Sequence, residues 1–266
     1  MRSLRVLLAV VTSVALTGCL NSTTLIKLNA DGSGTVEQTT LMNTAALKAM
    51  MPGADKQMGG GVVNQADLER TAARMGKGVR LMSAEPAKGA NGFEGSKAIF
   101  AFDDINQIQV SQGPSMSGST NGRVDAEPTT NDPVRFTLTR TGSTSTLTIA
   151  FVDKPGGSGQ GGGTTDMPDL TNPMMMGMIK SMFAGFKLNI DLEVAGSIVK
   201  TNAEYVTGSR LTLLEMDMDS LLADEAKLKA LQSKLGPNAS LSTVKPYLKD
   251  IKGIKVDGPT ISVEFR

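Results

Sequence analysis

Strict alternation of apolar and polar side chains recurs along this chain and constrains its fold class more than any other feature. Val134, Phe136 and Leu138 alternate with Arg135, Thr137 and Thr139. After Thr141-Gly142-Ser143 come Leu147, Ile149 and Phe151, again in alternation. Leu188, Ile190, Leu192 and Val194 alternate with Lys187, Asn189, Asp191 and Glu193, and Ile261, Val263 and Phe265 close the chain. A period of two gives each strand one wet face and one buried face, as in antiparallel strands laid on a core.

Turn chemistry pairs these strands. Leu25-Ile26-Lys27-Leu28 and Thr35-Val36-Glu37-Gln38 flank Asp31-Gly32-Ser33-Gly34, which predicts a hairpin. A second hairpin is predicted from Val79–Ala84 and Phe93–Phe102 around a turn at Lys88 to Gly92. Ile198 to Tyr205 continues the strand that Ala195-Gly196 breaks, and Leu211–Met216 adds another strand.

Helical spacing fills the intervals. Asn64 with Asp67 starts a helix that runs through Met75 to Gly76, and Ala45–Met51 is stopped by Pro52-Gly53. Leu221, Leu228, Leu231 and Leu235 line one face of a helix ended by Gly236-Pro237, and Val244, Leu248 and Ile251 mark a last short one. The expected class is α+β: an antiparallel sheet built from β-hairpins with helices packed on one face. Polar and glycine-rich composition predicts flexible loops near 113–133 and 155–168. Residues 25–266 are expected as a single domain, the alternative being two subdomains divided near 155–168.

The first residues carry an address. Arg2 and Arg5 precede the apolar run Val6 to Leu16, too short for a membrane span, and Leu16-Thr17-Gly18-Cys19 follows. This segment resembles the lipobox of bacterial lipoproteins. The resemblance implies that residues 1–18 are a signal peptide and that Cys19 becomes the lipidated first residue. Leu20 to Thr24 are then expected as a brief tether. Leu20 is not the aspartate that retains many lipoproteins at the inner membrane. The periplasmic face of the outer membrane is therefore the expected location in a Gram-negative source.

Asp31-Gly32-Ser33-Gly34-Thr35-Val36 and Phe102-Asp103-Asp104-Ile105-Asn106 add to this. With the lipobox, they resemble a group of poorly characterised bacterial lipoproteins that includes the mycobacterial LppM-type. That resemblance implies an α+β domain displayed at the membrane and holding a lipid or glycolipid.

Composition narrows the chemistry. The 27 basic and 26 acidic residues nearly balance, which argues against nucleic acid as a partner. There is no histidine and no tryptophan, and the single cysteine is the one in the lipobox. The commonest general base, thiol catalysis and thiolate metal sites are thereby removed. No enzyme activity, cofactor or metal is expected. The expected role is binding or structural at the envelope, with the membrane as partner through the N-terminal lipid and a lipid or envelope protein as a further partner.

The candidate binding face is a methionine-rich helix over Asp169–Phe186. Met175, Met178, Ile179, Met182, Phe183 and Phe186 form one apolar stripe, suited to an adaptable hydrophobic partner. The competing explanation is an ordinary helix covering the sheet. A thioether copper site has no histidine or free cysteine to strengthen it.

The alternative function is a carboxylate-based cell-wall or glycan hydrolase using Asp103, Asp104, Asp217 or Asp219. Helix capping explains these residues more simply, Asp217 or Asp219 standing before the helix of Leu221. Ser242 and Lys245 have Ser-x-x-Lys spacing, but no companion motif follows and Pro246 comes directly after.

Overall fold

A computed structural model of the chain describes residues 20–43, 63–90, 92–111, 133–151, 183–224, 241–249 and 251–266, with the single positions 174, 176, 177, 180 and 226. Its strands are β1 Leu20–Leu28, β2 Gly34–Asn43, β3 Arg80–Lys88, β4 Phe93–Phe102, β5 Gln109–Ser111, β6 Pro133–Thr141, β7 Thr144–Phe151, β8 Lys187–Val194, β9 Ile198–Thr201, β10 Val206–Thr207, β11 Arg210–Asp217, β12 Ile254–Val256 and β13 Thr260–Phe265. Helices α1 Gln65–Met75, α2 Met218–Ala223 and α3 Leu241–Leu248 are interspersed. The class is mixed α+β with antiparallel ladders dominant.

The strands form two sheets where one is expected. The larger has the order β10-β11-β8-β1-β2-β4-β3, with β12 also on β11, and the smaller runs β5-β6-β7-β13-β9. The chain crosses between the sheets several times, and one crossing falls at Ala195-Gly196. The chain leaves the large sheet after Val194, and Ile198–Thr201 joins β13 instead of continuing beside β8. Gly196 has φ +103°, and a β-carbon there would lie 2.3 Å from the Arg266 carbonyl oxygen, so this crossing is open to glycine. Strands from both sides of residues 155–168 contribute to both sheets and meet at one pairing in each: β8 with β1, and β13 with β7.

One pairing departs from the hairpin scheme. β1 lies antiparallel to β2 but parallel to β8, whose partner residues are more than 160 positions away, as in Asn21 with Lys187. This second neighbour extends β1 back to Leu20, so the residues expected as a tether are strand. Ser22 and Thr24 face inward there and are buried.

The register explains the core. Leu211, Leu192, Ile26, Val36 and Phe100 stand opposite one another across five adjacent strands and are fully buried. The smaller sheet supplies Val134, Phe136, Leu147, Ile149, Ile261, Val263 and Phe265 to the same cluster. Burying each such side chain contributes about 1.5–3 kcal/mol before the entropy of ordering is subtracted.

The opposite face of the large sheet is charged. Lys187 pairs with Asp217 at 2.9 Å, Arg210 with Asp191 at 3.0 Å and Lys255 with Glu215 at 2.7 Å, while Lys27 pairs with Glu37. The basic end of each pair is open to water, where such pairs contribute little. They identify the wet face.

The two segments singled out by resemblance meet at one corner. Gly34 pairs with Phe102, and the Ile105 amide donates to the Gly32 carbonyl at 2.9 Å. Asp104 caps the short 3₁₀ turn Ile105–Gln107, and Asn106 accepts from the Leu138 amide at 2.7 Å. A β-carbon on Gly34 would stand 2.0 Å from the Lys27 carbonyl oxygen and 2.6 Å from the Phe102 ring. The turn thus fastens the large sheet to β6 of the small one.

The helices match their caps more closely than their lengths. Asn64 accepts from the amides of Ala66 and Asp67 at the start of α1, whose Ala72 and Met75 are buried. α2 ends at Ala223, because Asp224 adopts a non-helical conformation. The single helix expected from Leu221 to Leu235 is therefore interrupted early. Leu228, Leu231 and Leu235, like Ala45–Met51 and both predicted flexible loops apart from Pro133, which opens β6, lie outside the described residues.

Candidate functional site

The end of the large sheet where β1 begins gathers the features that packing alone explains least. Along the inner face, the apolar rows give way to polar ones toward this end. Thr24 stands opposite Gln38, and Ser22 opposite Thr40, which in turn faces Ser96. Ser22 and Thr24 are buried, and Gln38, Thr40 and Ser96 are half-buried. Hydroxyl and amide groups thus line the inner surface of β1, β2 and β4, while β8 contributes Leu188 and Ile190 beside them.

Two aromatic rings sit at the same end. Phe186 immediately precedes β8, whose Leu188 pairs with Ser22. Phe183 meets Phe186 edge to face with ring centres 6.3 Å apart, a favoured geometry. Phe186 packs against the core, whereas Phe183 is 37 % exposed. The described positions Met174, Met176, Gly177, Lys180 and Phe183 are helical. Met176 is buried and Met174 exposed. Met176 is not on the expected stripe. Of that stripe, Met175, Met178, Ile179 and Met182 lie outside the described residues, as does Cys19.

Carboxylates hold this end together. Asp217 accepts from the amides of Asp219 and Ser220 as the N-cap of α2, and its other oxygen takes the Lys187 ammonium. That carboxylate raises the Lys187 pKa above the ordinary lysine value, mainly through its hydrogen bond and then through its charge. Asp219 accepts from the Gly185 amide at 2.7 Å, tying the turn after Phe183 to α2.

Asp103 and Asp104 lie at the other end of the same sheet. Asp103 pairs with Arg80 at 2.8 Å, and Asp104 is engaged in its cap with Asn106. Strand register separates the two acidic groups: Asp217 stands in the row of Asn21, and Asp103 follows the row of Leu28. Seven residues of strand at about 3.3 Å each exceed the spacing of roughly 5–10 Å that a glycosidase pair requires. Asp103 and Asp217 are therefore too far apart to act on one bond. Lys245, the lysine of the Ser-x-x-Lys match, pairs with Glu204 at 2.6 Å.

Two buried acids escaped sequence reasoning. Asp191 sits on the charged face with Arg210, yet it is only 5 % exposed and one of its oxygens has no partner, as is also true of the Asn189 side-chain oxygen. Its place in the strand alternation predicts a solvated residue, so no signal marked it. Asp257 accepts from the Glu204 and Gly258 amides, and burial pushes its carboxyl pKa up. It joins the segment after β9 to the turn between β12 and β13. An open hollow of about 330 Å³ near that segment is lined by Lys200, Thr201, Asn202, Ser262 and Glu264, polar groups with no shared chemical task. Among the described residues there is no group of three or more acidic or cysteine side chains that could hold a metal ion. No helix among them is long and apolar enough to cross a membrane.

No protein-family model matches this chain, and no curated protein matches it. A solved structure similar to it is the folded domain of the LppM protein of Mycobacterium tuberculosis. The match has 11 % identity and a TM-score of 0.36, covering 94 % of this chain and 91 % of that one.

Proposed function

We propose that this chain is a lipid-anchored bacterial envelope protein that binds an amphipathic or hydrophobic partner and catalyses no reaction. The observation that carries the proposal is the inner face of the large sheet near Leu20. There, polar groups on Ser22, Thr24, Gln38, Thr40 and Ser96 adjoin the Phe183–Phe186 pair. A face with hydrogen-bonding groups on one side and apolar rings on the other complements a molecule with a polar head and an acyl tail. Lipidation at Cys19 places that surface where such molecules are abundant. The non-enzymatic reading is supported by the structural engagement of Asp103, Asp104, Asp217 and Asp219 in caps and ion pairs.

Native mass spectrometry of the protein extracted from its own membrane tests this reading. A co-purifying lipid is expected, and the Ser22→Val/Thr40→Val variant should lose it while keeping its unfolding midpoint. A stoichiometric protein in place of lipid would redirect the reading to an assembly component. Peptidoglycan turnover that is abolished by Asp103→Asn or Asp217→Asn would overturn it.

A further inference from the structure

We infer that the β1-start end of the large sheet rests directly on the phospholipid surface, with Phe183 as its apolar contact. This rests on acylation of Cys19. The decisive feature is the absence of slack. Leu20 already pairs with Met42, and Asn21 is held on both sides, by Leu41 and Lys187. One residue spans at most about 3.6 Å, so a lipid on Cys19 holds this end of the sheet at the interface. A domain on a long linker would be free to stand away from the membrane, and this one is not.

The side chains at that end fit the contact. Phe183 is partly exposed beside Phe186, and Leu20 and Met42 are half-buried. Lys187 and Lys88 stand at the same end on exposed side chains, each paired with a carboxylate, that of Asp217 at 2.9 Å and that of Glu94 at 4.0 Å, so this end carries no net excess of negative charge from these pairs to repel the lipid surface. The opposite end is polar. Its β1–β2 turn holds Asp31 and Ser33, and its β6–β7 hairpin holds Arg140 and Thr141, with Arg140 reaching Gly32. The nine residues of β1 separate the two ends by about 25–30 Å.

The chain has no tryptophan, so a single introduced one reports depth without background. The full-length lipidated protein, carrying Phe183→Trp or Thr141→Trp, is reconstituted into phosphatidylglycerol–phosphatidylcholine vesicles with brominated acyl chains. The Phe183→Trp variant should be quenched roughly twofold and the Thr141→Trp variant not at all. Lys88→Trp, at the same end but with its side chain 81 % exposed, is a second reporter should position 183 tolerate the larger ring poorly. It too should be quenched. Intact mass separates the two ideas under test. A Cys19 without lipid defeats the anchoring reading together with this inference. A lipidated protein on vesicles with positions 183 and 88 unquenched, or with position 141 quenched equally, defeats the docking alone.

Discussion

Asp217 is where a catalytic and a structural explanation of the same residue give opposite results. Its carboxylate caps α2 through the amides of Asp219 and Ser220 and holds Lys187 at 2.9 Å. Loss of a cap costs about 0.5–2 kcal/mol. The ion pair involves a half-exposed lysine and contributes at most about 1 kcal/mol. Asp217→Ala removes both and should destabilise the domain by about 1–2.5 kcal/mol. Asp217→Asn keeps an oxygen that can accept from the same amides and loses only the charge, so its cost should stay below about 1 kcal/mol. For a chain of this length, each kcal/mol corresponds to about 2–4 °C in Tm. Urea unfolding followed by circular dichroism, on the domain beginning near Asn21, reads the difference directly. An Asp217→Ala variant as stable as the parent would refute the capping argument. So would an asparagine variant as damaged as the alanine one, because the charge rather than the cap would then be the main contribution.

Three further outcomes follow from the structure. Gly34→Ala should cost at least about 2–3 kcal/mol in urea unfolding, since the new methyl meets the Lys27 carbonyl and the Phe102 ring; Gly177→Ala, at an exposed helical site with nothing within 4 Å, should instead gain up to about 1 kcal/mol. The Lys187 pKa is raised in the folded state, so its contribution to stability is complete below the unfolded lysine value of about 10.4 and disappears as pH rises through the folded value; Lys187→Met should flatten that alkaline limb of the stability–pH curve.

Local pattern fixed much of this fold because strand and cap signals are short-range. Alternation in Val134–Leu138, Leu147–Phe151, Leu188–Val194 and Ile261–Phe265 depends on which side of a pleat each residue faces, and all four segments are strands in the structure. Asn64 was legible as a cap, and the cap before Leu221 was narrowed to Asp217 or Asp219, because a cap joins a side chain to amides two or three residues on; the structure selects Asp217. Partner choice was not legible. Nothing in Leu20–Thr24 announces a strand, since its second neighbour, β8, is distant in sequence and supplies the pairing that makes it one. The break at Ala195-Gly196 is visible in the residues, but that it sends the chain to a second sheet depends on Arg266 and β13. The same division applies to function. The chain by itself places its single cysteine directly after Leu16-Thr17-Gly18 and contains no histidine. The tertiary structure alone decided that Asp103 and Asp217 stand at opposite ends of one sheet, because strand register, not sequence spacing, sets which side chains share a space. It also decided that Asp191 is buried on a charged face, because burial depends on what the neighbouring strands bring alongside.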